Sequence, residues 1–311
     1  MTDNQITADR TFVLGTRASP LALWQSQHVA AELSKVHGWR EDHIKLDKII
    51  TKGDRRLDTK LSEIGGKGLF TEELEAGLRN GQLDLAVHSL KDLPTATPDG
   101  LVLGAILPRA AAGDVLVAQK NKKYTSLADL PKGAKIGTAS LRRAAQILNQ
   151  RPDCTIQPLR GNVGTRLQKL IDEGFDATIL ASAGLARLGL DLAEAVMLSP
   201  DEVLPAAGQG ALAVQCRADD TAMRDYLNAL HCADTFDCVT AERSFLAKLD
   251  GSCRTPIAAY ATLDGDRLTL RGRLLSDDGR RMAEGTITDA RQASVAMGQA
   301  LAGQLAAEMR A

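Results

Sequence analysis

The sequence predicts an α/β protein: two α/β domains with mainly parallel sheets, followed by a small C-terminal α+β domain. Three observations carry this expectation. Strand-like and helix-like segments alternate through the first two thirds of the 311 residues, the pattern of βαβ units. Two stretches, "LGTRASPLALWQ" and "IGTASLRRAAQI", repeat the order strand, Gly-Thr, serine, helix, so the two halves resemble each other. The last third changes to alternating apolar and polar residues with two Asp-Gly turns, which mark antiparallel hairpins.

In chain order, "TFVLGTR" reads as a strand. "SPLALWQSQHVAAELSKVH" reads as a helix, with Ser19 as N-cap and Pro20 in the first turn, where its missing N–H has no partner to lose. On that helix Leu21, Trp24, His28 and Ala31 fall on one face, with Leu33 near its edge. "HIKLDKIIT" is a strand. The glycine-bearing "KGDRRLDTKLSEIGGKG" leads to the helix "LFTEELEAGLRN" and the strand "LDLAVHS". The rhythm repeats with strands "DVLVAQ", "AKIGTAS", "TIQPLR" and "DATILAS" and helices "SLRRAAQILNQ" and "VGTRLQKLIDEG". "ILPRAAAGD" and "LPAAGQGA" are candidate crossings between the halves. The expected domains are 1–107 with 210–228, then 112–205, then 230–311. In the last, a helix "TFDCVTAERSFLAKLDG" ends near Gly251, two hairpins follow, and "RQASVAMGQALAGQLAAEM" is the final helix.

Composition narrows the function. Hydrophobic residues make up 44% and charged residues 25%, enough for a large core. Aromatics at 3% and a formal net charge of −1 argue against a nucleic-acid-binding surface. "MTDNQITADR" lacks the apolar run of a signal peptide, and no run reaches membrane-spanning length, so the expected location is cytoplasmic with no membrane partner. Five cysteines (154, 216, 232, 238 and 253) form no Cys-x-x-Cys pair, so neither a disulfide framework nor a metal site is expected.

Ligands of parallel sheets collect beyond the carboxyl ends of the strands. Four segments end strands there: "GTRASP" with Arg17 and Ser19, "HSLKD" with Ser89, Lys91 and Asp92, "GTASLRR" with Thr138, Ser140, Arg142 and Arg143, and "RGNVGTR" with Arg160 and Arg166. Three of them run into helix N-termini, which attract anions. Taken singly, each serine is a cap and each arginine a solvated side chain. Taken together, and with arginines accepting an unfavourable place in a first helical turn, they point to a multiply anionic ligand, whose carboxylates the planar guanidinium suits. Lys67 in "GGKG" fails the phosphate-loop pattern because Gly68 follows it, leaving a surface loop or a lid. Cys253 in "LDGSCRTPIA" is an inert loop cysteine or, with Arg254 beside it, a nucleophile.

The stretches "TRASPLALWQ", "GGKGLF", "AVHSLKDLP", "GTASLRR", "LRGNVGTRL", "AGLARLGL", "LPAAGQGA", "TAERSFL" and "GSCRTPIA" together resemble the porphobilinogen deaminase family, in the family's order and over nearly the whole chain. The resemblance implies two periplasmic-binding-protein-like domains, a small third domain and a monomer. It implies a transferase that joins four porphobilinogen molecules head to tail with loss of ammonia. It also implies a covalent dipyrromethane cofactor on Cys253, a catalytic Asp92, and Arg17, Ser19, Lys67, Ser89, Lys91, Thr138, Ser140, Arg142, Arg143, Arg160, Arg166 and Arg187 as cofactor and substrate contacts. Two positions depart from the family pattern: Glu63, where many members carry lysine, and Ser252, where glycine often precedes the cysteine. A solute-binding module and a nucleic-acid-binding regulator are the rival readings of the residues alone. His88 reads as a packed structural histidine.

Overall fold

The computed structural model describes residues 10–55, 71–119, 121–192, 195–250 and 256–311. Glu63, Lys67, Gly251, Ser252, Cys253 and Arg254 lie outside the described residues.

The chain begins with β1 (Phe12–Arg17), α1 (Pro20–His37), β2 (Ile44–Ile49), α2 (Lys52–Arg55), α3 (Glu72–Arg79), β3 (Leu85–Ser89) and β4 (Leu101–Ile106). It continues with β5 (Asp114–Ala118), β6 (Lys135–Gly137), α4 (Leu141–Gln150), β7 (Thr155–Gln157), α5 (Val163–Asp172), β8 (Ala177–Ala181), α6 (Ser182–Arg187) and β9 (Ala195–Met197). Then come β10 (Leu212–Arg217), α7 (Thr221–Asn228), α8 (Ala233–Lys248), β11 (Ile257–Asp264), β12 (Arg267–Leu275), β13 (Met282–Ala290) and α9 (Ser294–Arg310).

Two five-stranded sheets share one plan. The first runs β2-β1-β3-β10-β4 and the second β7-β6-β8-β5-β9. In each, the first three strands are parallel and the fourth is antiparallel to both neighbours. The sequence echo therefore has a structural counterpart, because β1–α1 and β6–α4 occupy the same place in their sheets. The antiparallel strands are the ones that follow the crossings. The chain leaves the first sheet after β4, enters the second as β5, and returns as β10. The third unit is an antiparallel β11-β12-β13 sheet covered by α8 and α9, with Phe245, Leu268, Leu301 and Leu305 in its core. Gly265 and Gly279, at φ +56° and +72°, turn its two hairpins as the Asp-Gly pairs predict.

Helix α1 departs from expectation. It buries Gln25, Ser26, Val29 and Leu33 against its own sheet, not the face running through Leu21, Trp24 and His28. That second face turns toward α6 of the other unit. Trp24 stacks on His28 at 5.1 Å, and the Arg187 guanidinium lies 5.9 Å from the Trp24 ring. An apolar stripe between two units stays half-exposed, so periodicity alone did not separate it from the core face. Among the described residues no helix is long and apolar enough to cross a membrane.

Candidate active site

Arg17 ends β1, Ser89 ends β3, Thr138 follows β6, and Arg160 follows β7. The helices that start at this edge are capped by side chains: Ser19 Oγ accepts from Ala22 N at 3.3 Å, Ser140 Oγ from Arg143 N at 3.5 Å, and Asn162 Oδ1 from Thr165 N at 2.9 Å. The antiparallel strands begin where the parallel ones end. Asp114, the first residue of β5, pairs with Ala181 at the end of β8, and Leu212, the first of β10, pairs with Ser89 at the end of β3. Both crossings thus deliver their last residues to the ligand-binding edge.

Asp114 is the residue that sequence reasoning missed. It is fully buried and sits between two arginines from the first turn of α4. Arg143 Nη2 donates to Asp114 Oδ1 at 2.7 Å, and Arg142 Nη2 lies 2.8 Å from Oδ2. Burial would raise the Asp114 carboxyl, but the two guanidinium groups override it and hold the carboxyl well below the usual range. Arg142 Nη1 also donates to Leu204 O at 2.7 Å and Arg143 Nη1 to Ile179 O at 2.9 Å, while the buried Arg143 Nε has no hydrogen-bond partner. A lone carboxylate opening the apolar run "DVLVA" was the one available signal.

Gln209 ties this pair to the first sheet. Its Nε2 donates to Asp114 Oδ1 at 2.9 Å and to Ala112 O at 2.6 Å, and its Oε1 accepts from Lys91 Nζ at 3.3 Å. Gly210 beside it has φ +89°, and a Cβ there would stand 2.4 Å from Ala110 O. Only glycine lets the two crossings approach this closely. Arg187 Nη2 donates to Gly210 O at 2.7 Å from the other side.

Lys91 and Asp92 do not continue the strand. Residues Leu90–Asp92 form a single 3₁₀ turn after β3, so strand alternation does not separate the two side chains. Burial pushes the Lys91 ammonium down to about 8, and its neighbour Asp92 opposes the shift. Burial likewise pushes Arg166 down to about 10, with Arg143 adding to the shift and Asp92 opposing it. Arg166 Nε donates to Gly161 O at 2.8 Å. Asp92 is exposed, and among the described residues its carboxylate accepts no hydrogen bond; its charge faces Lys91 and Arg166. Ser89 Oγ exchanges hydrogen bonds with the Gln25 amide, the shorter at 2.9 Å. Thr138 is buried, with its hydroxyl accepting from Ser140 N at 3.2 Å.

His88 is structural, as its sequence context suggests. It is buried and donates from Nε2 to Gln215 Oε1 at 3.1 Å on the paired strand. Burial pushes it down to about 4, so the ring is neutral near pH 7.

Among the described residues the electrostatic cluster sets Lys91, Arg142, Arg143 and Arg166 against Asp92 and Asp114, with Arg160 beside Arg166. Buried charge in such excess is costly unless an anion balances it. Guanidinium forks on capped helix starts suit carboxylates. The fold and the site thus define an α/β protein whose two sheets bring cationic side chains together at one edge, an arrangement suited to carboxylates. Residues 12–225 match the family description "Porphobilinogen deaminase, dipyromethane cofactor binding domain", and residues 236–307 match "Porphobilinogen deaminase, C-terminal domain". A porphobilinogen deaminase of Paenibacillus macerans is 44% identical over 96% of this chain and 98% of its own length. One from Listeria welshimeri is 48% identical over 88% of each chain. Among solved structures, a Salmonella typhimurium periplasmic binding protein matches with TM-score 0.40 and 16% identity, over 71% of this chain and 91% of that one. The chain belongs to the porphobilinogen deaminase family.

Proposed function

We propose that this protein is a hydroxymethylbilane synthase, a transferase that condenses four porphobilinogen molecules head to tail and releases ammonia at each step. The dipyrromethane cofactor, when bound, supplies the free pyrrole carbon on which the chain is built. Its acetate and propionate groups fit the excess of buried cations and the unpartnered Arg143 Nε. In this reading Arg142, Arg143, Arg160, Arg166 and Lys91 hold carboxylates, and Thr138 and Ser140 donate hydrogen bonds. Arg17, Ser19 and Ser89 add contacts from the first sheet, and Arg187 adds one from α6. In the same reading Lys67 is a substrate contact and Cys253 attaches the cofactor through a thioether. The three-domain division at 1–107 with 210–228, 112–205 and 230–311, a cytoplasmic location and a monomeric state belong to the same reading.

Asp92 is the catalytic group. Departure of ammonia leaves positive charge on the aminomethyl carbon and its pyrrole ring. Asp92 is exposed, with Lys91 and Arg166 as its charged neighbours. It stabilises the cation and accepts a hydrogen bond from the pyrrole N–H. A preorganised charge in this role contributes about 3–4 kcal/mol to the barrier.

The observation that carries the reading is the cation-rich cluster around one accessible carboxylate. Intact-mass spectrometry tests it. The purified protein should carry an adduct of two pyrrole units, absent from Cys253→Ser. An unmodified mass that porphobilinogen does not change would overturn it.

A further inference from the structure

Helix α8 belongs to the third unit, yet one of its faces holds the turn that carries Asp92. Val239, Glu242 and Arg243 are spaced three and four apart and so share that face. Val239 packs in one buried cluster with Leu90 and Leu93, the residues on either side of the Lys91–Asp92 pair. Glu242 is fully buried; its Oε2 accepts from Gly208 N at 2.7 Å and its Oε1 from Arg109 Nη1 at 2.6 Å. Arg243 faces the segment just after Asp92. Its Nη2 donates to Pro94 O at 2.7 Å and Thr95 O at 3.1 Å, and its Nη1 to Leu93 O at 3.3 Å.

Three consecutive carbonyls are thus aimed at one guanidinium. In extended chain, successive carbonyls alternate in direction. Here residues 93–95 bend around the cation instead. Arg243 has no carboxylate partner among the described residues, and burial pushes its guanidinium down from its ordinary value. The turn is also restrained by two backbone bonds, Leu90 N to Ala211 O at 3.1 Å and Leu93 N to Leu90 O at 3.1 Å, and by Lys91 Nζ donating to Gln209 Oε1 at 3.3 Å. Because no described group hydrogen-bonds the Asp92 carboxylate, its place in the cleft is set through this backbone.

We propose that Arg243 is a positioning residue for Asp92: its clamp on Leu93, Pro94 and Thr95 fixes the catalytic carboxylate from the third unit. The proposal rests on Asp92 being the catalytic group. The same helix ends at Lys248, five positions before Cys253 in the sequence.

The test compares wild type, Arg243→Gln and Arg243→Lys by intact mass, thermal melting and steady-state kinetics with porphobilinogen. Arg243→Gln is expected to keep the adduct and to hold KM within about threefold. Its kcat should fall about 10- to 100-fold, the cost of a misplaced reacting group. Arg243→Lys retains the charge, but one ammonium replaces a two-pronged fork, so it should recover part of the loss and remain about 3- to 10-fold slow. If Arg243→Gln does not fold, Arg243→Lys carries the test. A kcat equal to wild type in either variant, or a loss that tracks only the fraction lacking adduct, overturns the proposal. A wild-type protein with neither adduct nor turnover overturns the functional reading, and the proposal falls with it.

Discussion

Replacing Asp114 by asparagine changes no volume and isolates one quantity, the charge between two buried arginines. Asp114 Oδ1 accepts from Arg143 Nη2 at 2.7 Å and Gln209 Nε2 at 2.9 Å, and Oδ2 lies 2.8 Å from Arg142 Nη2. At an effective dielectric of about 20, a unit-charge pair about 4 Å apart is worth about 4 kcal/mol, and Asp114 makes two such pairs. Asparagine regains part of this, because a neutral amide is cheaper to bury than a carboxylate. The net loss from breaking a buried ion pair is then about 3–5 kcal/mol, a large share of a typical total of about 5–15 kcal/mol. Urea unfolding followed by circular dichroism should show a midpoint lower by about 1–2 M for a slope near 3 kcal/mol/M. The pH dependence supplies a second check. The folded carboxyl titrates below its unfolded value, so its stabilisation is present above that unfolded value and is lost as pH falls through the folded one. The difference between wild type and variant should be constant from about pH 8 to 5 and shrink only below about pH 4. A loss under about 1 kcal/mol, or a difference that closes near neutral pH, would refute the claim that Asp114 compensates Arg142 and Arg143.

Three further outcomes follow from the site. Asp92→Asn should fold and melt like wild type, yet turn over about 100- to 1000-fold more slowly at saturating porphobilinogen; wild-type rates would remove Asp92 from the mechanism. Because Lys91 is pushed down to about 8, it loses its proton as pH rises through that value, so kcat/KM should fall above about pH 8. In Lys91→Arg that alkaline limb should move upward, and an unmoved limb would assign it to another group. Gly210→Ala places a Cβ 2.4 Å from Ala110 O at φ +89°, so it should destabilise by more than the roughly 1–3 kcal/mol of a strained backbone, read as a drop in melting temperature.

Local chemistry made much of the fold legible. Ser19 ahead of Pro20, Ser140 ahead of an apolar helix and the Asp-Gly pairs each state a turn or a cap within four residues, and each is found as expected. The strand ends carrying Arg17, Ser89 and Thr138 were legible because parallel sheets place ligands at one edge. Asp114 and Gln209 were not, since nothing near either residue says that its strand runs backward. Only the antiparallel pairing of β5 and β10 brings them to that edge. Strand β4, the short β9 and the crossing strand β10 were not legible, since they lack the helix alternation that marks the βαβ strands.

The same topology explains why the cleft is built at the crossings. A polycarboxylate that lengthens during reaction needs two cation-bearing walls that keep their register. Parallel βαβ units alone would join those walls by loose linkers. Here each crossing becomes an antiparallel strand flanked on both sides, so the segments 107–113 and 204–211 are anchored at once to a sheet and to each other. Their remaining polar groups are taken by the third unit: Thr235 Oγ1 accepts from Arg109 N at 3.1 Å, and Glu242 accepts from Gly208 N and the Arg109 guanidinium. A hinge with its amides satisfied this way resists local unfolding, since opening it would strand the fully buried Glu242 charge. Motion that accommodates a growing chain is then favoured as rotation of whole units about the crossings. That motion leaves the turn bearing Asp92 attached to α8.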